Sequence, residues 1–353
     1  MAIPTEPIGS IPRPQSLLGA MAGFAGGKTS KTILDAAYDA ALRDTIRRFE
    51  ETGSPVITDG EQTKPSFATY PLAGLKLAAD GVTIPFADGH TRQLPRLTAA
   101  PFRYGVQAAE YVTVARRYTK LPVKQAVISA SALSLLYPST EIPGYSREAF
   151  LADLIREAET DIRGALDAGA DSVQIDFTEA RLSLKLDASG NLLHSFVALN
   201  NQVLDRFTPA ERQRIGVHVC PGGDRDSTHS ADVDYAGLLP DLFQLKAGRF
   251  YLQMASERDR KSTLRLLSKL LRPELTIFIG VIDPISTTVE TPAQVRDRVL
   301  EAASILPVRQ LGTTDDCGFS PFADDISTAR DVAFAKIQAR VEGTALAARE
   351  LQV

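Results

Sequence analysis

Short runs of apolar and β-branched residues recur along this chain, with helix-length segments between most of them. They fall at residues 5–10, 55–61, 123–129, 172–177, 215–220, 249–254, 276–283 and 309–314. Most are continuously apolar, as suits parallel strands covered on both faces. Parallel neighbours need a crossover between them, so strand and helix must alternate. Eight such units predict a (β/α)8 barrel with its active site at the carboxyl ends of the strands. The rival is a doubly wound open sheet, but no Gly-x-Gly-x-x-Gly follows any run.

The segments between the runs carry helix signals. Thr291-Pro292-Ala293-Gln294 offers an N-cap, a proline at the first helical position and a capping-box glutamine. One predicted helix begins at Ser146 and ends near Gly169, and another stops at Pro273. A last helix is expected to open at the acids Asp324 and Asp325, favourable to its dipole. Residues 64–121 break the rhythm. They separate two strands by more than one helix, and residues 81–97 read as a β-hairpin around Asp88-Gly89. The expectation is a single barrel over residues 1–353, with an insertion at about 64–121 lying over one mouth.

Composition narrows the function classes. A net charge of -4 argues against a nucleic-acid or anionic-membrane surface. The first residues lack a charged-then-apolar signal, and no apolar run reaches membrane-spanning length, so a soluble cytoplasmic protein is expected. Two cysteines are too few for a disulfide framework.

Those two cysteines nonetheless stand in telling places. In "RIGVHVCPGGD", His218 and Cys220 are two residues apart at the end of a strand, so both side chains project to one face. Polar residues gather at the other strand ends: Asp59 and Glu61, Asp176 and Glu179, Gln253 and Glu257, Asp283, and "GTTDDCGF" with Cys317. Two thiols and an imidazole at one barrel mouth suit zinc. The plainer alternatives are that Cys317 is a loop residue and that the acids cap strands or pair with Arg13 or Arg181. His90, His194 and His229 read as solvated, with His229 able to approach the metal if its loop folds inward.

The ordered motifs "IGS", "DGE", "QID", "HVC" and "DCG", from "EPIGSIPRP" to "DDCGF", resemble the catalytic barrel of the cobalamin-independent methionine synthase family and the related epoxyalkane:coenzyme M transferases. The resemblance implies Zn2+ held by His218, Cys220 and Cys317 and binding the thiol of an acceptor substrate. Gln253 occupies the position of the family's glutamate ligand, and Glu257 could replace it. The resemblance also implies that Glu61 and Asp176 hold the amino group of homocysteine, with Ile8 and Ser10 near its carboxylate. Asp283 would be catalytic, but Ile285 stands where the family's methionine synthases carry a proton-relay histidine. This chain has no tryptophan to stack a folate, and no counterpart of their N-terminal barrel is expected.

These departures disfavour methyltetrahydrofolate. They leave a methylated corrinoid or an epoxide as co-substrate, the latter polarised by Asp283 or Tyr70. The leading expectation is zinc-dependent methyl or alkyl transfer to a small-molecule thiol, homocysteine first. An epoxyalkane:coenzyme M transferase is the alternative, with Arg13 or Lys64 clamping the sulfonate. A non-catalytic zinc- and thiol-binding protein is a third reading, from another class.

Overall fold

The structure, a computed structural model, describes residues 3–353. Six of the eight runs pair in chain order as one parallel sheet: β1 (Lys124–Ile128), β2 (Ser172–Asp176), β3 (Ile215–Val219), β4 (Arg249–Leu252), β5 (Thr276–Ile282) and β6 (Leu311–Asp315). The first two runs contribute single bridges instead of strands. Thr5 bridges Thr313 of β6, and Ile57 bridges Val123 next to β1. Ile11 N–H donates to Gly60 O at 3.0 Å and Thr58 Oγ1 to Gly9 O at 2.8 Å, which links the two short runs to each other. Pairing therefore passes from β6 through residues 5–11 and 57–60 back to β1, as a (β/α)8 barrel requires. Prolines explain the shortened ladders: Pro4, Pro7 and Pro55 have no N–H to donate. The eighth strand begins later than expected, because Val308–Gln310 forms a 3-10 turn.

The expectation of continuously apolar strands holds for one face only. Every position of β1, β2 and β3 is buried. Outward residues such as Val173, Ile175, Val217 and Val219 join the main core under the helices. The inward positions are polar or small: Lys124, Gln174, Asp176, Gly216 and His218. Gly216 makes room for a neighbour, since a Cβ there would stand 2.4 Å from the Tyr251 ring.

Helix ends follow the local chemistry. Ser146 caps Arg147–Asp167 by accepting from Ala149 N–H at 3.2 Å, and Thr291 with Gln294 forms a capping box on Pro292–Ala303. The last helix differs from expectation. It spans Arg330–Glu350, with Asp331 in its first turn. Asp325 instead ties its own loop, accepting from Ser327 N–H at 3.0 Å.

The insertion is narrower than residues 64–121, because Ala108–Ala115 is a helix packed on β1 and on Arg147–Asp167. Before it lie two antiparallel pairs: Leu77–Ala78 with Arg96–Leu97, and Thr83–Pro85 with Thr91–Gln93. Gly89, at φ 92°, makes the expected turn. The hairpin rests on the loop after β3: Arg92 donates to Asp224 at 3.0 Å, His90 Nε2 lies 2.9 Å from Asp224, and Ala87 N–H donates to Thr228 O at 3.0 Å. Among the described residues, no helix is long and apolar enough to cross a membrane.

Candidate metal centre and substrate cavity

His218 ends its side-chain series inside β3, and Cys220 follows one residue past the strand. Cys317 lies just beyond β6, on the far side of β4 and β5, and the barrel's curvature brings it round. Ligand atoms of His218, Cys220 and Cys317 lie within 4.8 Å of one another, and all three residues are buried. The two Sγ atoms are 3.1 Å apart and both cysteines are free thiols. His218 Nε2 is 3.3 Å from Asp316 O, while its Nδ1 is buried without a hydrogen-bond partner. Burial lowers the His218 imidazole to about 3, so it is neutral and able to donate a lone pair. Burial, then the neighbouring Cys317, raises the Cys220 thiol well above its ordinary value. A crowded pair of buried thiols within 4.8 Å of a neutral imidazole is what a borderline-soft cation would relieve. The donor set fits Zn2+.

Pro221-Gly222-Gly223 bends the chain over the thiols. Gly222 adopts φ 70° and its N–H donates to Cys220 Sγ at 3.3 Å. A Cβ on Gly222 would stand 1.8 Å from His229 Nε2.

A cavity opens beside this cluster, and Ile8, Ser10, Glu61, Asp176, His218 and Cys317 all line it. Every residue expected to hold the acceptor is therefore on one wall or another. Glu61 sits at φ 56°, a left-handed conformation costing a non-glycine residue about 1–3 kcal/mol. Asp59 offsets part of this by accepting from Glu61 N–H at 2.9 Å. Lys64 donates to Glu61 Oε1 at 2.9 Å. Burial works against the Lys64 charge, but Glu61 and then Asp59 outweigh it and hold the ammonium above its usual range. Asp176 is raised to about 7 by burial and then by the Glu61 charge. Ser10 Oγ accepts from Ser320 N–H at 3.2 Å, and the residue lines the cavity.

A second, larger cavity shares Gly223 and Cys317 with the first. Gln253, Glu257, Asp283 and Ile285 line it. Glu257 is outside the three-residue cluster and lies 3.6 Å from Arg181. Gln253 Oε1 accepts from Arg181 at 2.5 Å, and its Nε2 donates to Ser256 at 2.7 Å. Both expected alternatives for a fourth ligand are thus engaged elsewhere. Asp283 Oδ1 accepts from Ile285 N–H at 3.0 Å.

Several other expectations fall away. Arg13 donates to the carbonyls of Glu61 and Lys64 at 2.8 and 2.7 Å, and Lys64 also reaches Ala126 O at 2.9 Å. Neither lines the cavity beside the cluster. The Tyr70 hydroxyl is buried on Asp161, so it does not reach the site. His229 is buried, not solvated; it faces Phe86 edge-on at 5.5 Å and stays outside the metal cluster. His90 is held between Asp88 and Asp224, and only His194 is on the exposed surface, 3.0 Å from Asp241. Glu61 pairs with Lys64 and not with Arg13. Three residues went unassigned in the sequence: Lys124, Gln174 and Asp316. The Asp316 carboxylate accepts from the N–H groups of Met254, Ala255 and Ser256 at 2.8 Å each, pinning the loop after β4 beside Cys317. For Lys124 and Gln174, inward polar residues in otherwise apolar strands were the available signal.

Residues 3–330 match the family model described as the cobalamin-independent synthase catalytic domain. The chain belongs to that family. It is 25% identical over 325 residues to a 5-methyltetrahydropteroyltriglutamate–homocysteine methyltransferase of Nitratidesulfovibrio vulgaris, covering 90% of this chain and 38% of that protein. It therefore spans about two fifths of such relatives. Other relatives match end to end. The methionine synthase of Saccharolobus solfataricus is 22% identical, with 99% of this chain and 96% of that protein covered. The 2-hydroxypropyl-CoM lyase of Xanthobacter autotrophicus is 24% identical, covering 99% and 96% respectively. A solved B12-independent methionine synthase from Shewanella sp. W3-18-1, in complex with selenomethionine, superposes with a TM-score of 0.79 at 19% identity, over 100% of this chain and 99% of that one. That likeness supports the barrel. The family's description gives no support to a methylated corrinoid as co-substrate.

Proposed function

We propose that this protein transfers a methyl group to the thiol of homocysteine. The observation that carries the reading is the junction of two features on one cavity wall: a Cys/His/Cys cluster, and the carboxylates of Glu61 and Asp176. A thiol needs activation at neutral pH, and an amine needs anionic partners. Zn2+ held by His218, Cys220 and Cys317 would supply the first by taking the substrate thiol as a further ligand, stripping its proton and fixing it in place.

The chain's own residues do the rest. Glu61 and Asp176 bind and orient the substrate ammonium, and the Ser10 hydroxyl donates to its carboxylate beside Ile8. The second cavity, which meets the first at Gly223 and Cys317, receives the methyl donor, so that the carbon faces the sulfur. Asp283 lines the wall of that cavity. Relatives of this chain's length carry the name methionine synthase, which supports methyl transfer by a single barrel.

A second reading, thiol addition to an epoxide with coenzyme M as acceptor, draws on the 2-hydroxypropyl-CoM lyase relative. The engagement of Arg13 and Lys64 with backbone carbonyls weighs against it. Zinc-loaded protein is incubated with homocysteine or coenzyme M, each with a set of methyl donors and epoxides, and thiol products are followed by mass spectrometry. Methionine formation is expected. A hydroxyalkyl thioether of coenzyme M without methionine would replace the first reading with the second, and thiol binding without any turnover would leave a binding protein.

A further inference from the structure

Gln174 stands two residues before Asp176 on β2, so both side chains enter the barrel. Its amide is committed to three partners. Nε2 donates to Asp176 Oδ1 at 2.8 Å and to Ile8 O at 3.2 Å, while Oε1 accepts from Lys124 Nζ at 2.8 Å. Gln174 and Lys124 are both fully enclosed, at 0% exposure. An ammonium only donates, and a carboxylate and a carbonyl only accept, so one amide orientation alone satisfies all three.

The consequence reaches the cavity. Asp176 and Ile8 come from different parts of the chain, yet both line the pocket proposed for the acceptor. We propose that Gln174, locked by Lys124, is a positioning residue that sets selectivity for an acceptor thiol bearing an ammonium group. Left alone, the Asp176 carboxylate can rotate about its last bond, and the segment carrying Ile8 is held to the sheet by few ladder bonds. The amide ties the carboxylate to that segment in one arrangement, and a binding group held in place loses less on binding than a mobile one. Lys124 contributes by stacking over Tyr251 at 4.0 Å, where a rigid strand holds it. The inference rests on the reading of Asp176 as an amine partner.

The test is calorimetric binding of homocysteine and of 4-mercaptobutanoate, which is homocysteine without its amino group, to the metal-loaded protein. Gln174→Glu keeps the size of the side chain and gives Lys124 an acceptor, but removes the donor to Asp176 and Ile8. Wild type is expected to prefer homocysteine. The variant is expected to bind homocysteine roughly tenfold more weakly, the scale of one lost hydrogen bond to a charged group. Its affinity for 4-mercaptobutanoate and its metal content should be unchanged. Should Gln174→Glu fail to fold, the pair Lys124→Met and Gln174→Met replaces both buried polar groups with apolar ones of similar size, and the same loss of preference is expected. A preference retained in the variants, or an equal loss for both thiols, overturns the inference alone. No preference in wild type overturns the amine assignment of Asp176, and the inference with it.

Discussion

Cys220 and Cys317 are 97 positions apart in the chain, and their sulfur atoms are 3.1 Å apart in the fold. Nothing local in either segment brings them together. The parallel sheet does, by returning β3 and β6 to the same mouth of the barrel with their carboxyl ends level. His218 joins them because the strand period places it on the same face as Cys220.

Replacing either cysteine should therefore empty the same site. Cys220→Ser and Cys317→Ser are each expected to retain far less zinc after dialysis, measured by elemental analysis, with the barrel still folded by circular dichroism. A buried serine hydroxyl in place of the Cys220 thiol should lower stability by about 1–3 kcal/mol. Full zinc in both variants would remove the metal assignment.

Asp316 supplies a second route to the same site. A Cβ on Gly280 would stand 1.8 Å from Asp316 Oδ1 and 2.9 Å from Met254 N, so Gly280→Ala must displace a carboxylate that holds the loop after β4. The expected cost is about 1–3 kcal/mol of stability, as for other overpacked interiors. Zinc affinity should fall as well, because Cys317 follows Asp316 directly. Thermal melts and competition with a chelator measure the two effects, and a variant matching wild type in both would show that the contact is relieved elsewhere.

Much of this architecture was legible in the sequence, and for identifiable reasons. The strands β1 to β6 declare themselves because outward-facing residues such as Val173 and Ile175 are apolar, and Thr291 and Ser146 mark helix starts by local hydrogen bonding. The first two runs were harder, since proline and left-handed residues reduce them to single bridges. His218, Cys220 and Cys317 could be grouped because cysteine is rare here. The commitments of Arg13, Lys64 and Tyr70 could not be read, because each depends on partners brought close only by folding. Arg13 contacts Ser320, 307 positions away. The interior relay of Lys124 and Gln174 was hidden for the opposite reason: a polar residue within an apolar run looks like noise until the barrel interior is seen.

Asp161 gives the fold a pH dependence away from the metal site. Burial raises its carboxyl from 3.8 to about 6, against hydrogen bonds from Ala108 N–H and the Tyr70 hydroxyl. As pH rises from about 4 to 6 the unfolded chain loses this proton before the folded one does, so stability falls across that window. The difference corresponds to about 3 kcal/mol at most. Asp161→Asn removes the titration. Urea unfolding at several pH values should show wild type losing stability relative to the variant between pH 4 and 6. Parallel curves would mean that Asp161 keeps an ordinary carboxylate pKa in the fold.

The chain is expected to differ from its 5-methyltetrahydropteroyltriglutamate-using relatives in its methyl donor. It contains no tryptophan, and Ile285 packs 3.7 Å from where a Cβ on Gly223 would stand, at the junction of the two cavities. A folate amine must gain a proton as it leaves, and general acid catalysis of that kind requires an acid within hydrogen-bond reach. Ile285 offers none, and Asp283 Oδ1 is already turned back to its own loop, accepting from Ile285 N–H. Methyl transfer from methyltetrahydrofolate to homocysteine is therefore expected to be negligible, while donors whose leaving group needs no proton should react. Ile285→His, at the rim of the second cavity, should raise any residual folate-dependent rate by roughly 10²-fold or more if proton delivery is the missing element. The measurement is methionine formed by purified, zinc-loaded protein with each donor. Robust folate-dependent synthesis by wild type would defeat the prediction and would assign the proton to Asp283.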